Sequence, residues 1–116
     1  MAADDSILLT VRQNVDVYED DDNFDAILIT KINSIFGILY QLGIGPDTGF
    51  RIESDAETWS QFTQNETRLD MVKGYMCDKV KMDFDPPQSS VLKEALAANI
   101  AEYEWRLSVM PDFIAH

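Results

Sequence analysis

Phe24-Asp25-Ala26-Ile27-Leu28-Ile29-Thr30-Lys31-Ile32-Asn33-Ser34-Ile35-Phe36-Gly37-Ile38-Leu39-Tyr40-Gln41-Leu42 is the stretch on which the fold turns. Leu28, Ile32, Ile35, Leu39 and Leu42 recur at steps of four, three, four and three, and Ile27, Ile38 and Tyr40 widen the stripe. A broad apolar stripe at this spacing suits a helix lying in a core. Its isoleucines favour strands locally, but strands usually run only ~5–6 residues. Length therefore decides for a helix over Phe24–Gln41, with Gly43 as the C′ residue that ends it. Asp25, Lys31 and Asn33 break the apolar run, so it is not an uninterrupted membrane span.

Upstream, Ser6 is a good N-cap for a helix to about Val17, with Ile7, Leu8, Val11 and Val15 on one face. Between the two helices lies Glu19-Asp20-Asp21-Asp22-Asn23. Its crowded carboxylates favour a solvated loop and sit near the positive dipole end of the next helix.

Downstream, Gly43, Gly45, Pro46 and Gly49 mark a loop, and Phe50-Arg51-Ile52 suits a short extended piece. Ser54-Asp55-Ala56-Glu57 matches a capping box and predicts a short helix through Phe62. Thr63-Gln64-Asn65-Glu66 is a second box, opening a helix to about Met82 whose buried face carries Leu69, Val72, Met76 and Val80. Gly74 weakens that helix by up to ~1 kcal/mol relative to Ala, or permits close packing. Asp85-Pro86-Pro87 must interrupt it. Ser89 or Ser90 then caps a last helix to Ser108, with Leu92, Leu96, Ile100, Tyr103 and Leu107 as its apolar face. Leu96 is expected to be buried there. The expected architecture is all-α: a small bundle of four or five helices, with a long central helix and a Pro-Pro corner before the last one. A single domain should span 1–116, with loose tails at about 1–5 and 111–116.

Composition narrows the function. The chain has 116 residues and 46% hydrophobic residues, enough for one ordinary core rather than a disordered chain. Twenty-one Asp and Glu against nine Lys and Arg give a net charge of −12. Such a chain gains no counterion-release binding to nucleic acid unless its few bases cluster, and it is repelled by anionic membranes. Lys73, Lys79 and Lys81 do cluster, but Asp70, Asp78 and Asp83 are interleaved with them. Cys77 is the one cysteine, so no internal disulfide forms, and the N-terminus lacks the basic start of a signal peptide. An acidic, soluble, intracellularly made domain is expected.

The chain shows no catalytic constellation. Its one histidine, His116, stands at the C-terminus, and Cys77 has no histidine partner nearby. Set Asp20 at the first position of a calcium loop, and Asp22 fits the third. Phe24, Asp25 and Lys31 then fall where an oxygen ligand, a glycine and a bidentate glutamate are needed. There is no glycine-rich phosphate loop. No cofactor and no metal are expected, and the acidic run reads as solvated surface.

The C-terminal half takes the argument further. Tyr75-Met76-Cys77-Asp78-Lys79-Val80-Lys81-Met82-Asp83-Phe84-Asp85-Pro86-Pro87-Gln88-Ser89-Ser90 leads into a helix ending Glu104-Trp105-Arg106-Leu107. This pattern resembles the head–tail connector (adaptor, or head-completion) family of tailed bacteriophages. The motifs cover about Tyr75 to Leu107; before that the match is one of layout. Asp83 departs from the more hydrophobic residue expected in that turn. The resemblance implies a non-enzymatic virion part, made in the bacterial host cytoplasm. It implies a cyclic ring of copies below the portal protein, contact with the next head-completion or tail protein, and DNA passing through without specific binding. In that setting Asp85, Pro86, Pro87 and Ser90 form a stiff corner that aims the last helix. Phe84, Trp105 and Arg106 are candidate anchors, in an interface or in the core. Glu19, Asp20, Asp21 and Asp22 are a candidate acidic surface. A different class competes: a small acidic inhibitor or DNA mimic binding a basic host protein, supported by eight acids and one base in the first 25 residues.

Overall fold

The computed structural model describes residues 6–15, 24–63, 66–84 and 86–109. Among them are five α-helices and no strand: α1 (Ile7–Asn14), α2 (Asp25–Gln41), α3 (Trp59–Phe62), α4 (Glu66–Phe84) and α5 (Ser90–Ser108). The chain is an all-α bundle. The tails expected at 1–5 and 111–116, and the acidic run Glu19–Asp22, lie outside the described residues.

The α2 stripe forms as its spacing requires. Leu28, Ile32, Ile35, Phe36 and Leu39 are buried, facing Ile7, Leu8 and Val11 of α1 and Val72, Met76 and Val80 of α4 in one core. The shared partner, however, is α4. It packs against α1 and α2 and, most extensively, against α5. A buried ion pair joins α1 to the start of α2, with Arg12 Nε 3.5 Å from Asp25 Oδ1.

One helix start differs from expectation, and another is settled between two candidates. Ser54-x-x-Glu57 does not open α3. Glu57 instead accepts hydrogen bonds from the backbone N–H groups of Glu53 (2.9 Å) and Ser54 (3.2 Å), closing a local turn. Slight burial acts to raise the Glu57 carboxyl, but these backbone donors outweigh it and leave the group below its ordinary range. The working capping box is Thr58-x-x-Gln61, in which Thr58 Oγ1 accepts from Gln61 N and Gln61 Oε1 from Thr58 N. Ser89, not Ser90, caps α5 by accepting from Leu92 N.

Two other boundaries move. α1 ends at Asn14 with Val15 as its C-cap, Val17 lying outside the described residues, and α4 runs past Met82 to Phe84. The piece Phe50-Arg51-Ile52 is not a strand. Its backbone finds a side chain instead: Asn33 Oδ1 accepts from Ile52 N at 2.7 Å, and Asn33 Nδ2 donates to Ile52 O at 2.9 Å. That polar break in the α2 stripe fastens the 44–53 loop over the core.

The last helix departs most. Leu107 is its buried residue, while Leu96, Ile100 and Tyr103 are only half-buried. Leu96 is therefore not the core leucine the spacing suggested, and Leu92 is 60% exposed. α5 covers one side of α4 and turns much of its own surface outward.

Candidate assembly surface

The residues that carried the resemblance meet along the α4–α5 interface. Tyr75 is fully buried on α4, and its hydroxyl donates to Glu104 Oε2 on α5 at 2.8 Å. Lys79, one turn on, reaches the same oxygen at 3.3 Å. Tyr103 covers Gly74: a Cβ at residue 74 would lie 2.7 Å from Tyr103 Cζ, so this glycine permits close helix packing. The Tyr75, Lys79 and Glu104 positions thus work as a clamp that sets α5 against α4.

The clamp has a pH signature. Burial, reinforced by the hydrogen bond and charge of Glu104, pushes the Tyr75 phenol well above its ordinary value of 10.0. Above that value the unfolded chain loses the proton while the folded chain keeps it. The stabilisation is thus present below pH 10 and lost as pH rises through the folded value. Tyr75→Phe should flatten the fall of stability above pH 10, measured as urea midpoints along a pH series. An unchanged alkaline limb would show that another group governs it.

The other motif residues divide between inside and outside. Phe84 is half-buried against the core. Trp105 is 64% exposed, so the core reading of this tryptophan does not hold. Arg106 pairs with Glu102 at 2.8 Å on the exposed side of α5. Pro86 is exposed and Pro87 half-buried between the end of α4 and the start of α5. Asp85 lies outside the described residues. Asp83, the departure from the family pattern, pairs with Lys31 of α2, which accounts for a charge in that turn.

That ion pair stands over an open groove of about 540 Å³ between α2 and the end of α4, with Ile27 and Phe84 in its apolar wall. The sequence reading did not find this groove, because it needs residues from two helices some fifty positions apart.

A family model described as phage connector protein matches residues 7–112. The chain belongs to the phage connector protein family. No curated protein and no solved structure matches it. The family is a structural one, and the connector's described residues hold no group of three or more His, Cys, Asp or Glu able to bind a metal. Burial, with the neighbouring Asp78, pushes the Cys77 thiol up to about 11, which keeps it protonated and inert at neutral pH. The connector's lysines on α4 are engaged internally. Lys73 lies 5.7 Å from the centroid of the Trp59 ring, and Lys79 is held by Glu104. No helix among the described residues is long and apolar enough to cross a membrane.

Proposed function

We propose that this connector is a non-enzymatic head–tail connector subunit of the virion neck. Copies stand in a ring below the portal protein, extend the DNA channel and dock the next head-completion or tail protein. The family match over residues 7–112 is the observation that carries this reading. The exposed Trp105, Val91, Leu92 and Val109 support it, since a subunit held by protein contacts needs apolar anchors outside its core. The charge of −12 supports it as well, because an acidic wall does not hold a passing duplex. In this reading Asp85, Pro86, Pro87 and Ser90 set the angle of α5, Phe84, Trp105 and Arg106 lie at or near contacts, and Glu19–Asp22 is acidic surface.

The test is to mix the purified protein with its cognate portal, and separately with duplex DNA, across a salt series. The expected result is association with the portal or with its own copies, and negligible DNA affinity at physiological salt. Self-association should strengthen with salt, because the Debye length falls from about 10 Å at 0.1 M to about 3 Å at 1 M. DNA binding that fades with salt, together with no portal association, would overturn the reading.

A further inference from the structure

α5 has the sequence of a helix that does not lean on a core. Ala95, Ala97, Ala98 and Ala101 are the best of helix formers, most of the other residues are Leu, Glu, Lys or Arg, and only Val91 and Ile100 are β-branched. Ser89 caps its start, and Arg106 pairs with Glu102 one turn back. α2 is built the opposite way. Six of its 17 residues are β-branched isoleucine or threonine, and Gly37 interrupts it, so its helix depends on burial.

The attachment of α5 is concentrated towards its C-terminal end. Every residue from 90 to 95 is exposed. The hold lies farther on, where Tyr103 covers Gly74, Glu104 accepts from Tyr75 and Lys79, and Leu107 enters the core. Among the described residues, α4 is the one helix against which α5 packs extensively. α4 has its own hold on the rest of the bundle. Val72, Met76 and Val80 share the core with α1 and α2, and Asp83, near its end, pairs with Lys31 of α2. Between the two helices, Pro86 and Pro87 have no N–H to donate, so a swing there breaks no bond of theirs. Pro86, Gln88 and Ser89 are exposed.

We propose that α5 is a latched arm, which leaves α4 as a unit by turning about residues 86–89 while α1 to α4 stay folded, with Tyr103, Glu104 and Leu107 as the latch. Opening uncovers Tyr75, Leu107 and the half-buried Ile100 and Tyr103, far less apolar surface than unfolding the whole core would expose. The arm is therefore free to change its position without loss of the core. This device goes beyond the connector reading and stands or falls apart from it.

The experiment is residue-resolved amide hydrogen exchange on the full chain, under conditions where reclosing outpaces exchange. A released helix relaxes in ~0.1–1 μs, so the amides of α5 exchange whenever the arm is open. In the wild type, α5 should exchange as a block and faster than the buried turns of α2 and α4. Two variants then separate arm opening from global unfolding. Ile7→Val trims the core in α1, far from the latch, and should speed the slowest amides of α2 and α4 by about 2- to 12-fold. It should leave α5 unchanged, because the open-arm state keeps that core intact. Glu104→Ala removes the charged partner of Tyr75 and Lys79, and should speed α5 at least ~10-fold. Both substitutions are mild enough for native melting to be kept. Equal protection of α5 and the buried turns in the wild type would overturn the proposal. So would an Ile7→Val effect as large on α5 as on α2, since α5 would then open only with the whole fold. An α5 indifferent to Glu104→Ala would overturn the latch.

Discussion

Trp59→Ala is expected to lower the unfolding free energy by about 3–5 kcal/mol, the range for deleting a fully buried tryptophan. That is a large share of the ~5–15 kcal/mol that holds a typical domain together. Trp59 is 0% exposed and opens α3, a helix of four residues. So short a helix has almost no stability of its own, and burial of Trp59 and Phe62 must hold it in place. The indole also ties distant segments together. Its Nε1 donates to Thr10 Oγ1 at 3.1 Å, and that hydroxyl donates to Ser6 O at 2.7 Å. Removing the ring therefore opens a cavity and unhooks α3 from α1 in one step. Trp59→Phe keeps most of the apolar volume and loses the hydrogen bond, so it should cost substantially less. Urea midpoints at constant slope provide the measurement, and an alanine variant unfolding at the wild-type midpoint would refute this account.

The long helices were legible in the sequence because many local signals add up over them. α2 has 17 residues, and α4 and α5 have 19 each, so their apolar spacing survives individual exceptions. The start of α3 was not legible, because Ser54-x-x-Glu57 and Thr58-x-x-Gln61 are both satisfactory capping boxes. Tertiary contacts decide between them. Ser6 Oγ donates to Asp55 O, and Ile7 N donates to Glu57 O, bonds that tie residues before Thr58 to the start of α1. No local pattern announces bonds spanning some fifty residues. Asn33 is a similar case: along the chain it is a flaw in a stripe, and its partner Ile52 is evident only once the loop has folded back.

The candidate surface was legible in residue type but not in placement. The sequence identified Trp105 as either a core residue or an anchor, and spacing alone cannot separate these on a helix apolar on two sides. What decides is how much of α5 the rest of the same chain covers. Leu92, Leu96, Ile100, Tyr103 and Leu107 looked like one inner face, yet only Leu107 is fully enclosed. The role of Glu104 was hidden for another reason. Its clamp on Tyr75 and Lys79 spans the Pro-Pro corner, so it depends on how the two helices cross.

Gly45→Ala is the second large effect, expected to cost about 2–5 kcal/mol through two additive causes. Gly45 has φ +92°, a conformation that side chains with a Cβ resist. It also faces a wall, since an added Cβ would stand 2.7 Å from Phe62 Cζ. Phe62 cannot easily yield. It is 4% exposed, with its ring centroid 4.8 Å from that of Phe36 and 5.5 Å from that of Phe50. Gly49 provides the control, because its φ is +89° but the nearest atom to an added Cβ is Tyr40 Cδ1 at 4.0 Å. Gly49→Ala should therefore carry only the backbone cost of about 1–2 kcal/mol. The difference between the two variants isolates the packing of the loop against the phenylalanine cluster. Phe62→Leu, which makes room beside residue 45, should reduce the Gly45→Ala penalty while leaving that of Gly49→Ala unchanged. Equal melting losses for the two glycine variants would show that backbone conformation alone, and not Phe62, fixes glycine at position 45.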